Sequence, residues 1–178
     1  MKQKLFFAAT ILLLSLFALA SKKRIKNIIP PPFAYSIYTV DATIGKVRAK
    51  LESSSAAYQK PKGKENAATY NITGAKSSLR LKIADAVFQS DSEPSTGTLN
   101  PANYIGLYKL SVGKSNRSFT MNSDGSSISM IPVTFTSLDQ LSNRIAVSGA
   151  ILPGEYAFVD RTTTDLDGNV KVWTFGID

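Results

Sequence analysis

The chain predicts an all-β fold, an antiparallel β-sandwich of the immunoglobulin-like or a related kind built as a single domain. Three observations carry this reading. Apolar residues recur with period two instead of 3.6, the segments are short and punctuated by Gly, Pro, Asn and Asp, and no long amphipathic helix is present. About eight to ten such segments joined by turn chemistry suit two packed antiparallel sheets. No interval repeats, so a propeller or solenoid is disfavoured.

The first element is not part of that domain. Lys2 and Lys4 form a cationic head, residues 5–19 an apolar run, and Ala18-Leu19-Ala20 the small-residue end that signal peptidase accepts. Residues 1–20 therefore read as a signal peptide, and removal leaves 158 of the 178 residues, beginning at Ser21. The run is shorter than the roughly 20 residues of a spanning helix, which argues against an anchor. Residues 21–32 carry Lys22, Lys23, Arg24 and Lys26 ahead of three prolines and read as a basic, proline-rich tether. The sandwich domain is 33–178. With no Cys in the chain, its stability has to come from packing and backbone hydrogen bonds, and bacterial lipid attachment through a cysteine is excluded.

Within the domain, residues 33–40 (FAYSIYTV) are rich in aromatic and β-branched side chains, and 45–51 (GKVRAKL) alternate apolar with basic residues, so both read as strands. Residues 53–64, rich in Ser, Ala and Lys with Pro61 and Gly63, read as a long loop. A strand begins at 69–72, another spans 79–83, and 86–88 continue it after a break near Asp85. Residues 89–100, with Asp91, Glu93, Pro94 and Gly97, read as a connection. Segments 105–112 and 117–121 flank a polar turn of hairpin length. Residues 126–136 read as one strand at an edge or with a bulge, because Pro132 has no N–H to give a neighbour. Residues 138–143 suggest a single helical turn, and 145–147, 155–159 and 170–177 complete the set.

The last two of these form a hairpin. Pro153-Gly154 turns the chain, 165–169 (DLDGN) reverse it, and Gly154 supplies a positive φ. Tyr156 and Phe158 share one face, as do Trp173 and Phe175, so two aromatic pairs can meet across the ladder, each adding roughly 0.2–1 kcal/mol.

Four phrases, ITGAKSSLR (72–80), IGLYKL (105–110), LPGEYAF (152–158) and WTFGID (173–178), occur in that order. Together they resemble uncharacterised exported bacterial β-domain proteins with LYKL, PGEYAF and C-terminal FGID phrases. The resemblance implies a bacterial origin and a β fold, and no substrate or catalytic residue.

Composition closes several chemistries. With no His and no Cys, Ser-His-Asp and Cys-His mechanisms lack their parts, and zinc, copper and haem sites of the usual kind lack ligands. Paired carboxylates remain open for a glycosidase, yet most acids stand beside Gly, Ser, Asn or Pro in turns. Calcium is a weaker option: Asp165, Asp167 and Asn169, with Asp160 nearby, resemble half of a calcium loop, although a hairpin turn accounts for the same residues more simply. Charge is lopsided, with 13 basic residues against 3 acids in 21–82 and 6 against 10 in 83–178. Lys46, Arg48 and Lys50 alternate along one strand, Lys60, Lys62 and Lys64 along the following loop, and Arg80 and Lys82 along a third segment. Such cations suit a polyanion: lipopolysaccharide, acidic polysaccharide or, least favoured, nucleic acid. Protection of strand edges by lysine is the plainer explanation and weighs more. Tyr35, Tyr38, Tyr58, Tyr70 and Tyr104 invite a sugar platform, with core and cross-strand packing the stronger alternative. Asn71 and Asn116 match the glycosylation sequon, a pattern frequent by chance.

The expectation is an exported, non-enzymatic binding, adhesion or scaffold protein that is periplasmic, at the cell surface or extracellular. Its partner would be an anionic glycan, an envelope surface or another envelope protein. The alternatives are a carbohydrate-active hydrolase using paired carboxylates and a subunit of an envelope assembly.

Overall fold

The computed structural model describes residues 36–61, 66–91, 101–139 and 142–178. The expected signal peptide and tether lie outside them, and Phe33–Asp178 forms one compact unit. Thirteen strands are present among the described residues: β1 (Ser36–Val40), β2 (Val47–Lys50), β3 (Ser53–Gln59), β4 (Ala68–Thr73), β5 (Arg80–Leu81), β6 (Phe88–Asp91), β7 (Ile105–Val112), β8 (Asn116–Met121), β9 (Met130–Ile131), β10 (Val133–Ser137), β11 (Ser142–Val147), β12 (Gly154–Thr164) and β13 (Val170–Ile177). Two 3₁₀ turns, Ile83–Asp85 and Pro101–Asn103, are the helical pieces among these residues. No described helix is long and apolar enough to cross a membrane.

The all-β, antiparallel expectation holds. A five-stranded sheet runs β10-β11-β6-β1-β2. The other sheet runs β12-β13-β3-β4-β8-β7, and β7 pairs back onto β12 from Ile105↔Asp160 to Leu110↔Glu155. Six strands therefore close into a barrel, with β9 added beside β7 and β5 lying parallel to β13. This corrects the picture of two open layers: one sheet has curled shut and has no terminal edge within that ring.

The sequence of the shared wall explains the closure. In β12, Tyr156 and Phe158 have one parity and Ala157 and Val159 the other, and in β13 Trp173, Phe175 and Ile177 alternate with Val170 and Val172. All are buried, so both faces of these strands are dry. One parity joins Ile37, Phe88 and Ile145 in a core between the wall and the five-stranded sheet. The other joins Ala56, Tyr70, Ile72, Tyr108 and Phe119 inside the barrel. The predicted hairpin is seen, with Tyr156 opposite Phe175 and Phe158 opposite Trp173. The Tyr156 and Phe175 rings stack with centroids 5.5 Å apart.

Several segment assignments change. Residues 53–59 form β3, not a loop, because pairing to both β13 and β4 overrides a weak local preference for strand. Residues 62–65 lie outside the described set. Strand β6 continues through Asp91 where a connection was expected. The single strand expected at 126–136 is two: Pro132 stands between β9, which pairs with β7 in the barrel, and β10, which edges the other sheet. A residue without an N–H fits the crossing point. The helical turn expected at 138–143 is replaced by bends at 138–139 and the start of β11. Strand β5 keeps only two residues before the first 3₁₀ turn.

Candidate binding surfaces

The five-stranded sheet turns Ile37, Phe88 and Ile145 into the core, so their neighbours point outward. Register then aligns one residue from each strand: Lys50 opposite Tyr38, Tyr38 opposite Gln89, Gln89 opposite Arg144, and Arg144 opposite Thr136. With strands about 4.8 Å apart, this row crosses about 19 Å and sets the backbones of Lys50 and Arg144 about 14 Å apart. Lys50 Nζ lies 5.9 Å from the centre of the Tyr38 ring, a cation–π pair worth about 0.5–1 kcal/mol at an exposed site. The Arg144 guanidinium reaches toward Gly45, in the turn that carries exposed Lys46.

The five predicted cations do not make one ladder. Lys46, Arg48 and Lys50 lie at or in β2, the edge strand, while Arg80 belongs to β5 in the barrel sheet. Arg48 is committed internally: its Nη2 is 2.7 Å from Asp41 Oδ2, and its Nη1 bonds Asp85, pinning the β1–β2 turn to the first 3₁₀ turn. The Arg48 hydrogen bond is the main reason that the Asp41 carboxyl sits below the ordinary carboxylate range. Arg80 bonds Glu155 through Nη1 and Asp178 through Nη2 and Nε, the last at 3.1 Å. Lys82 is exposed, as is Lys60, and Lys62 and Lys64 lie outside the described residues. Arg144 and Gln89, which the sequence reading passed over, are brought in by register alone.

A second concentration of polar groups fills one end of the barrel. Glu155 is the first inward residue of β12 and Arg117 the first of β8, and both are buried with Ser77. Glu155 Oε2 accepts the Ser77 hydroxyl at 2.7 Å and the Ser77 N–H at 2.8 Å, and lies 3.3 Å from Arg117 Nη1, while Oε1 takes Arg80. Arg117 also donates through Nε to Gly74 O at 2.9 Å, through Nη2 to Thr73 O at 3.3 Å, and to Ser77 Oγ. Burial alone would raise the Glu155 pKa; the two Ser77 donors and Arg80 outweigh it and hold the group below its usual range. The result is a plug of matched charges. The carboxylate that accepts the Ser77 hydroxyl is ionised and so is the one candidate base beside it, but its lowered pKa makes it a weak one.

The calcium residues serve the last hairpin. Asp165 Oδ1 accepts the N–H groups of Asp167 and Asn169 at 2.9 Å each, Oδ2 accepts Asn169 Nδ2 at 2.8 Å, and Gly168 has φ +82°. Asp160 is buried, with Oδ1 accepting Thr162 N–H and hydroxyl at 2.9 and 2.7 Å. Among the described residues, no three Asp or Glu side chains gather into a metal-holding group. The tyrosines also part company: Tyr38 lies on the outer row, whereas Tyr70 is inside the barrel, edge-on to Tyr58 at 5.8 Å and stacked on Phe119 at 5.2 Å. Tyr35 lies outside the described residues. The sequon residues bond each other, Asn116 Nδ2 to Asn71 Oδ1 at 3.0 Å.

No family model, curated protein or solved structure matches the chain. The case for function therefore rests on these residues.

Proposed function

We propose that the protein is an exported, non-enzymatic binding or scaffold protein that meets acidic glycan or another anionic envelope surface through the outer face of its five-stranded sheet. That sheet and the barrel wall would act as a two-layer, sandwich-like platform. The observation that carries the reading is the registered row Lys50–Tyr38–Gln89–Arg144–Thr136, extended toward Lys46. It offers cations for carboxylate or phosphate, a side-chain amide and a hydroxyl for sugar hydroxyls, and one ring for stacking. Arg48 and Arg80 are left out because their charges are already answered by Asp41, Asp85, Glu155 and Asp178.

The hydrolase alternative has less support, since of the two described clefts one is lined by a single acid, Glu52, and the other by none. The test uses immobilised polygalacturonate. Wild-type binding should weaken about tenfold or more between low salt and roughly 0.5 M salt, where screening shrinks to a few ångströms. The double variant Lys50→Gln, Arg144→Gln should lose most of the low-salt binding. Full binding by that variant would remove the face from consideration.

A further inference from the structure

Strand β3 serves two neighbours in turn. Ser53 to Ala56 pair with β13, and Ala57 to Gln59 pair with β4. Strand β4, however, runs on against β8 through Ile72 and Thr73. Between 53–56 and 72–73 the barrel wall therefore has no ladder, and the two strands splay. Tyr58 N–H points away from β4, donating to Asn169 Oδ1 at 2.9 Å, so alternation turns the backbone N–H and C=O of Ser53 and Ser55 the other way, into the split.

The split opens into a cleft of about 280 Å³. It is lined by the hydroxyl-bearing residues Ser54, Ser55, Thr73, Ser78 and Thr174, and by Ile72 and Arg117. Glu52 and Lys76 complete the lining with opposite charges. The charge of Arg117 is answered by Glu155, so the cleft has no net charge with which to seek an anion. Glu52 Oε2 accepts the Ser78 hydroxyl at 3.1 Å, and among the described residues Oε1 has no hydrogen bond. Hydroxyls that both donate and accept, a carboxylate acceptor, an ammonium donor and open peptide groups match a ligand that is itself a ring of hydroxyls. The volume equals about nine waters at roughly 30 Å³ each, room for one sugar ring and just under the usual range for drug-sized ligands.

We propose that this split between β3 and β4 binds a single neutral hexose unit, at a site distinct from the cationic row. Glu52 accepts a pair of neighbouring sugar hydroxyls, Lys76 donates to a third, and the sugar takes the place of the strand partner that the Ser55 peptide lacks.

Amide NMR titration with glucose, galactose and mannose tests it. At least one of the three should produce saturable shifts at Ser54, Ser55, Thr73 and Thr174 by about 50 mM, far above a dissociation constant of order 1 mM. Glu52→Gln, a change on an exposed side chain, should weaken that binding by about fivefold or more, and Ser54→Trp should abolish it by filling the space. Absence of shifts with all three sugars overturns the proposal, as does binding that Glu52→Gln leaves intact. Polygalacturonate binding by Glu52→Gln should match wild type whatever the hexose result, which separates failure here from failure of the sheet-face reading.

Discussion

At the scale of single residues, Glu155 decides most. Its pKa is depressed from the ordinary 4.5, so the stability it contributes is fully present above that value and is lost as pH falls through the depressed folded-state value. Glu155→Gln should abolish that acid limb and, by leaving Arg117 buried without a counter-charge, cost about 3–5 kcal/mol, read from the midpoint of urea unfolding. Tyr108 has the opposite sign. Burial pushes its pKa from 10.0 up to about 12, and its hydroxyl donates to Gly125 O at 2.5 Å inside the barrel. Its contribution is complete below pH 10 and disappears as pH rises toward 12, so Tyr108→Phe should flatten the alkaline arm of a stability–pH curve. Neither role was legible in the sequence. Glu155 reads as the start of a strand, and its partners Ser77, Arg80 and Arg117 come from positions 38 to 78 residues away that only the fold brings together.

At the scale of elements, glycine in β13 sets a condition for that plug. A Cβ on Gly176 would lie inside the Arg80 guanidinium and 2.9 Å from Glu155 Oε1, so Gly176→Ala should push Arg80 aside and cost about 1–3 kcal/mol in thermal or urea unfolding. Strands β7 and β13 have the limits that period and turn residues predict, 105–112 and 170–177, because their apolar runs are long and bounded. Strand β3 was hidden for the converse reason. SSSAAYQ has small side chains that neither alternate nor favour a strand, and it is held by neighbours distant in the chain. The same splitting of allegiance between β13 and β4 that concealed β3 creates the cleft. Pro132 signals an edge or a bulge within one strand, but the break into two strands and the move from one sheet to the other are tertiary facts that a missing N–H does not encode.

At the scale of the whole molecule, the two cores share β12 and β13, and the only tryptophan, Trp173, lies on the side that faces the five-stranded sheet. Loss of either core strips one face of the common strands, so the layers should not melt separately. Tryptophan fluorescence and far-ultraviolet circular dichroism should give coincident urea transitions; a fluorescence change that precedes loss of strand signal would show the sheet leaving an intact barrel. The β class was legible from period two, and closure was not, since it depends on pairing 105–110 with 155–160, residues 45 to 55 positions apart. A trace of it was nevertheless present. Segments 105–110, 154–160 and 170–177 are apolar at both parities, which is the mark of strands buried on two sides.

A partition between two rooms has no outside. Along the stretch of that partition from 155 to 160 and from 172 to 177 every residue is buried, so evolutionary drift has no idle position there to explore, whereas Lys50 and its companions on the open face can be exchanged without disturbing either interior. Under the proposed function, specificity can change at that face while the masonry behind it stays as it is.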